Sequence, residues 1–200
     1  MSLLLVLLTQ LLIEPAPAVF AQPVASDQPA AWRDLGRAEG WPAARGELAC
    51  RPLVPEIALC FRYEREGKLR WVTGEELAAW GVDTPTLERL AAAAVGENPM
   101  KAQPVDGGGT WYLSVTPTGR EATVLLHPEW LAPLGPGARI SLPAQGVVMA
   151  WSAGDPTLDQ AASIAARKAW EDARVPISPV VMTWDGKTLR TWGEAKPRRH

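Results

Sequence analysis

The residues that could perform acid–base or nucleophilic chemistry are few in this 200-residue chain. It contains only two histidines, His127 and the terminal His200, and no G-x-S-x-G segment. Because a nucleophilic triad needs a histidine beside an activated hydroxyl or thiol, His127 is the candidate catalytic base. Asp155 and Asp159 stand four residues apart, which would place both carboxylates on one face of a helix. Asp155 also precedes Pro156 as a helix N-cap does, and we favour that role.

The two cysteines, Cys50 and Cys60, are the next reactive groups. Neither has a C-x-x-C partner, and two cysteines with two scattered histidines do not form a zinc-ligand pattern. In an exported protein they could pair and close a short loop, which stabilises a fold by about 2–3 kcal/mol. They could equally be two buried thiols that pack as small apolar side chains. The glycine run at 107–109 lacks the strand–loop–helix context of a phosphate-binding loop, so we predict neither a metal nor a cofactor.

Tryptophan accounts for ten of the fourteen aromatic residues. Exposed tryptophan rings stack on sugars or hold cations, so Trp32 and Trp41 are candidate binding residues. If these two rings are exposed and coplanar, the chain is a carbohydrate-binding module. The alternative is core packing, because most of the other tryptophans fall within predicted strands and helices.

The N-terminal segment predicts export. Residues 3–13 form an apolar run that is shorter than the ~20 residues of a membrane-spanning helix, so we expect no permanent membrane span. Val19 and Ala21 then occupy the small-residue positions of a signal-peptide cleavage site. We predict a cleaved signal peptide over residues 1–21 and a secreted or periplasmic protein. The start carries no Lys or Arg, which leaves a cytoplasmic protein with an apolar extension as the alternative.

After this segment, the chain predicts one domain. We expect a flexible leader at 22–31, a single α+β domain over 32–194 and a basic tail at 195–200. The α+β domain should contain an antiparallel-rich sheet with several packed helices. The formal net charge of −2 lacks the excess of positive charge that is typical of nucleic-acid-binding domains, so we predict no nucleic-acid partner.

The clearest local signals lie between residues 57 and 95. Two strand patterns at 57–63 and 69–72 flank a turn and predict a hairpin. Thr73 and Glu76 then match a capping box, and Gly81 is placed to end that helix. A second helix, from Pro85 to Val95, follows at once. Farther on, a long helix is predicted over 156–173 and a hairpin over Asp185-Gly186.

Several of these segments together resemble a known family. They include Trp71-Val72-Thr73-Gly74-Glu75-Glu76-Leu77-Ala78-Ala79-Trp80-Gly81-Val82 and Pro176-Ile177-Ser178-Pro179, which is followed by Trp184-Asp185-Gly186-Lys187. Over residues 50–190 the chain resembles the YtpQ-like family, a group of bacterial proteins built on a domain of unknown function. The resemblance implies a bacterial protein and transfers no catalytic residue.

The sequence contains no complete catalytic or metal constellation. We therefore predict a non-enzymatic binding or interaction domain, with an envelope protein as the partner. The alternatives are an envelope hydrolase whose site is assembled only in the fold, from His127, Asp155 or Asp159, and the carbohydrate-binding module.

Overall fold

The computed structural model describes residues 17–94, 101–104, 110–115 and 121–194. These residues form two antiparallel sheets and four α-helices, which confirms the predicted α+β class. The first sheet contains β1 (Val19–Ala25), β2 (Cys50–Val54), β3 (Ile57–Arg65) and β4 (Lys68–Trp71). The second contains β5 (Lys101–Pro104), β6 (Thr110–Val115), β7 (Arg139–Ala144), β8 (Val147–Trp151), β9 (Val180–Trp184) and β10 (Leu189–Glu194). The helices are α1 (Gln28–Ala38), α2 (Gly74–Trp80), α3 (Thr84–Ala93) and α4 (Pro156–Glu171).

Strand β3 is the centre of the first sheet. On one side it pairs with β1, and on the other it pairs first with β2 and then with β4. The β3–β4 hairpin was predicted, and its turn is Glu66-Gly67 between the paired residues Arg65 and Lys68. Both turn residues have positive φ, 56° and 71°, which is the backbone of a tight turn that matches strand twist.

Helices α2 and α3 form the predicted corner on this sheet. The Thr73–Glu76 capping box is present, and Gly81 ends α2 in the left-handed conformation, with φ 64°. Asp83, and not Thr84, caps α3, because its carboxylate accepts the backbone N–H of Thr86 at 2.8 Å. The corner buries apolar side chains against β1 and β3; the cluster comprises Val19, Ala21, Ala49, Leu59, Phe61, Tyr63, Val72, Trp80, Leu87 and Ala91.

The segment predicted as a flexible leader, residues 22–31, is structured. Its first part belongs to β1, whose seven residues all pair with β3, and its last part begins α1 at Gln28. β1 is buried on both faces: Val19 and Ala21 pack toward α2 and α3, and Val24 packs with Ala58 on the opposite face. The described fold therefore already includes β1 and the start of α1 before residue 32.

The second sheet has the strand order β10-β9-β7-β8-β6-β5. One face packs on α4, through Met149, Trp151, Leu158, Ala162, Ala166 and Val181. The other face packs on short 3-10 helices at 121–134 and on two residues of the first sheet, Val54 and Ile57. This shared cluster joins the two sheets.

The buried face of α4 differs from the one that residue spacing predicts. The predicted apolar stripe comprises Leu158, Ala162, Ala165, Ala169 and Ala173, widened by Ile164 and Trp170. Leu158 and Ala162 are buried as expected, and Ala166 completes the buried face. Ile164 was expected to widen the stripe, but it is 43% exposed. The buried positions are spaced by four residues, which turns Ile164 to the solvent side of the helix.

Residues 1–16, the glycine run at 107–109, Val95 and the basic tail at 195–200 lie outside the described residues. The signal peptide stays a prediction, and its expected cleavage point after Ala21 falls inside β1. Among the residues that the structure describes, no helix is long and apolar enough to cross a membrane.

Candidate functional site

His127 is held in place by both of its ring nitrogens. Nδ1 lies 2.8 Å from Oε1 of Glu129, and Nε2 lies 2.8 Å from the carbonyl oxygen of Ala92, near the end of α3. Its ring also stacks on Trp130 with centroids 4.1 Å apart. The hydrogen bond with His127 lowers the pKa of Glu129. Since neither nitrogen is left to abstract a proton from a substrate, His127 connects α3 to the 3-10 segment and has the geometry of a structural residue.

The two aspartates of α4 serve separate structural roles. Asp155 caps the helix and accepts the backbone N–H groups of Thr157 at 2.9 Å and Leu158 at 3.2 Å. Asp159 instead accepts the indole N–H of buried Trp151 at 2.7 Å. Because each carboxylate has its own partners, they do not form a pair for acid–base chemistry.

Asp159 belongs to a polar cluster beneath α4 that the sequence did not reveal. Its Oδ1 lies 3.8 Å from Nε of Arg139, and Nη1 of Arg139 donates to the carbonyl oxygen of Gly137 at 2.8 Å and to Oγ1 of Thr183 at 2.9 Å. None of these residues is a partner of His127, whose contacts are with Ala92, Glu129 and Trp130. The three catalytic candidates therefore do not converge into one hydrolase site.

Trp32 and Trp41 are brought together, as a binding pair would require. Their ring centroids are 5.4 Å apart, but the ring planes are tilted by 56° and both side chains are half-buried. The indole N–H of Trp32 donates to the carbonyl oxygen of Arg45, whose guanidinium lies over the Trp41 ring at 5.0 Å. A tilted, covered pair does not provide the coplanar platform on which the carbohydrate-binding alternative depends.

Arginine covers tryptophan at several other places. Among the described residues, the guanidinium-to-ring distances are 4.9 Å for Arg62 and Trp71, 4.2 Å for Arg139 and Trp192, and 5.2 Å for Arg167 and Trp170. Such stacking is favourable because the guanidinium lies against the negative face of the indole ring.

The two cysteines form a disulfide in the structure. Cys50 and Cys60 are register partners on β2 and β3, so the bond crosses between adjacent strands. Cys60 is fully buried, whereas Cys50 is half-buried. β2 lies at the edge of the first sheet and pairs only with β3 among the strands of that sheet. The disulfide therefore links this edge strand to the central strand.

Three of the cavities in the described part of the chain are relevant to ligand binding. One is a space of about 50 Å³ between the two sheets, beside Arg62, Trp71, Gln22 and Gln145. Nε of Arg62 has no hydrogen-bond partner there, and burial lowers the pKa of this guanidinium. A second, of about 330 Å³, runs between α1 and β2 past Cys50. A third, of about 450 Å³, lies where β3 meets α2.

We call this third cavity the acid–aromatic pocket; it is lined by Pro17, Tyr63, Glu64, Arg65, Glu75, Glu76, Ala79 and Trp80. It combines three carboxylates with one guanidinium, so its formal charge is −2. Its inner wall is a Tyr63–Trp80 pair in edge-to-face contact, with centroids 5.0 Å apart and planes at 90°. The pocket is open to solvent on the side of Glu75 and Ala79, which are both exposed.

Local sequence rules explain how each element places its side chains in the pocket. Alternation along β3 turns Tyr63 toward α2, and the capping box places Glu76 at the first turn of that helix. One oxygen of Glu76 accepts the backbone N–H of Thr73 at 2.9 Å and the Thr73 hydroxyl, and the other accepts the Tyr63 hydroxyl at 3.2 Å. The pKa of Tyr63 is raised, first by burial and then by the nearby Glu76 charge, so Tyr63 remains a neutral donor.

From the sequence, Glu75 and Glu76 are acidic residues in the first turn of a helix, and Tyr63 is a residue of a strand. These side chains line one pocket only because α2 packs against β3, and no local residue spacing indicates that packing. In the part of the chain that the structure describes, no three His, Cys, Asp or Glu side chains form a group that could hold a metal ion.

No protein-family model, curated protein or solved structure matches this chain. The resemblance to the YtpQ-like family therefore stays a prediction from the sequence.

Proposed function

We propose that the protein is a non-enzymatic binding protein of the cell envelope, which holds a basic side chain of a partner protein in the acid–aromatic pocket. The observation that supports this proposal is that carboxylates and aromatic rings line the same cavity. Its volume of about 450 Å³ falls within the ~300–1,000 Å³ typical of ligand sites. Carboxylates at the rim attract a cation, and an aromatic wall accommodates the apolar part of a lysine or arginine side chain.

The chemistry of the lining favours binding over catalysis. Among the described residues that line the pocket there is no Ser, Cys or His to act as a nucleophile or as a base of near-neutral pKa. Glu76 already accepts three hydrogen bonds, from Thr73 and Tyr63, and so has a structural role in the pocket. Glu75, exposed at the rim, is the carboxylate best placed to meet a ligand.

A peptide titration tests the proposal. The probe is N-acetyl-Gly-Lys-Gly-amide, added to ¹⁵N-labelled protein, and the comparison peptide has Glu in place of Lys. We expect the backbone amide signals of Glu75, Glu76 and Ala79 to shift with the Lys peptide alone. Equal shifts with both peptides, or shifts confined to other parts of the protein, would contradict the proposal.

The matched variants are Glu75→Gln in the pocket and Glu39→Gln outside it, at the C-cap of α1. Removing one exposed carboxylate should weaken binding about two- to fivefold, which corresponds to a surface ion pair of ~0.4–1 kcal/mol. Glu39→Gln should leave the affinity unchanged. If both variants weaken binding equally, the effect is one of overall charge and the pocket is not the site.

A further inference from the structure

The start of β1 bears on where the exported chain is cut. β1 begins at Val19, and its first three residues pair with Tyr63, Arg62 and Phe61 of β3. Val19, Phe20 and Ala21 are 0%, 8% and 0% exposed. They are thus as much a part of the core as the middle of the strand.

Cleavage after Ala21, the position that the sequence pattern first suggests, conflicts with this fold. It would remove three of the seven β1 residues that pair with β3. A chain cut there would lose the packing of Val19 and Phe20 together with their strand pairing.

A second cleavage pattern lies three residues earlier. Ala16-Pro17-Ala18 also has small residues at the two positions that a signal peptidase reads, and it follows the apolar run 3–13. Ala18 is exposed and lies immediately before the strand. A cut after Ala18 would leave all of β1 in the mature chain and would remove only Pro17 from the lining of the acid–aromatic pocket.

We infer that a signal peptidase hydrolyses the Ala18–Val19 peptide bond, and that the mature protein begins at Val19. Water adds across this bond, so that Ala18 ends the released peptide as a carboxylate and Val19 gains a free amine. This inference rests on the export part of the proposed function. The peptidase acts on the exported chain before β1 pairs, and the pairing then places Val19 opposite Tyr63.

The test is expression of the full chain in a secreting bacterial host, with cell fractionation and intact-mass measurement of the purified protein. A protein from the envelope or medium that begins at Val19 supports the inference. A start at Gln22, or an exported protein that retains residues 1–18, overturns the inference while export holds. Uncut protein confined to the cytoplasm overturns export itself, so the two failures are distinguishable.

Two substitutions at the exposed Ala18 locate the cut independently of folding. Ala18→Leu places a large side chain where the peptidase requires a small one, and we expect the uncleaved precursor to accumulate. Ala18→Ser keeps a small residue and should be processed as the wild type is. If Ala18→Leu is processed to the same mature start and extent as wild type, cleavage does not depend on Ala18 and the inference is wrong.

Discussion

Removing the first three residues of β1 should severely destabilise the protein. The comparison is between a chain that starts at Val19 and one that starts at Gln22, each produced with the disulfide intact. Burying a Val or Phe side chain contributes about 1.5–3 kcal/mol each, so the loss of Val19 and Phe20 should cost about 3–6 kcal/mol. Because typical domains are stable by ~5–15 kcal/mol, this loss is a large fraction of the total.

Urea unfolding followed by tryptophan fluorescence measures the difference. With a urea dependence of ~2–3 kcal/mol per molar, the unfolding midpoint of the shorter chain should fall by about 1–3 M. The matched control starts at Pro17, which adds two residues outside β1 and should unfold with the Val19 chain. If the Gln22 chain unfolds at the same urea concentration as the Val19 chain, then β1 does not contribute to the core as its burial indicates.

Two further predictions concern pH and the disulfide. Hydrogen bonds from the backbone N–H groups of Thr188 and Lys187 lower the pKa of Asp185 from 3.8 to about 2. A carboxyl group with a lowered folded pKa stabilises the fold above its unfolded pKa and loses that contribution as pH falls through the folded value. Urea midpoints measured from pH 6 to pH 2 should therefore decline less below pH 4 for Asp185→Asn than for wild type, and identical profiles would refute this assignment. The double variant Cys50→Ala/Cys60→Ala should lose about 2–3 kcal/mol of unfolding free energy, as expected for a short closed loop. In thermal melts, the variant and the reduced protein should both unfold at a lower temperature than the oxidised protein. Equal melting temperatures for all three would show that the disulfide does not stabilise the fold.

The parts of the fold that follow from local rules could be predicted from the sequence. The capping box at Thr73 and the left-handed Gly81 define α2 because both act within one or two helical turns. The hairpin turns at Glu66-Gly67 and Asp185-Gly186 also follow from residue type. In each case the deciding contacts lie within a few residues of one another.

β1 could not be predicted in this way, because its partner strand begins at Ile57, far along the chain. Gln22 and Pro23 also interrupt the apolar pattern that would indicate a strand, and the same residues fit a cleavage-site pattern. Only the pairing with β3 shows that Gln22 is buried. Non-local pairing thus overrode the local composition.

In the candidate site, too, contacts within one helix could be predicted from the sequence, whereas contacts between a helix and a sheet could not. The cap role of Asp155 was predicted and is confirmed, because an N-cap contacts the first turn of its own helix. The contact between Asp159 and Trp151 joins α4 to β8, and the contact between Glu76 and Tyr63 joins α2 to β3. These contacts depend on how helices lie on sheets, which residue spacing alone does not determine.

The arginine-covered tryptophans have a consequence for how separate molecules of the protein meet. Arg outnumbers Lys by fifteen to five, and four described indole rings lie under a guanidinium. A lysine ammonium is compact and strongly hydrated, so it would leave more of each flat ring open to water. Each guanidinium shields part of its indole ring, so less bare ring is left for a second molecule to contact. We therefore expect the arginine excess to weaken self-association through the tryptophans at high concentration.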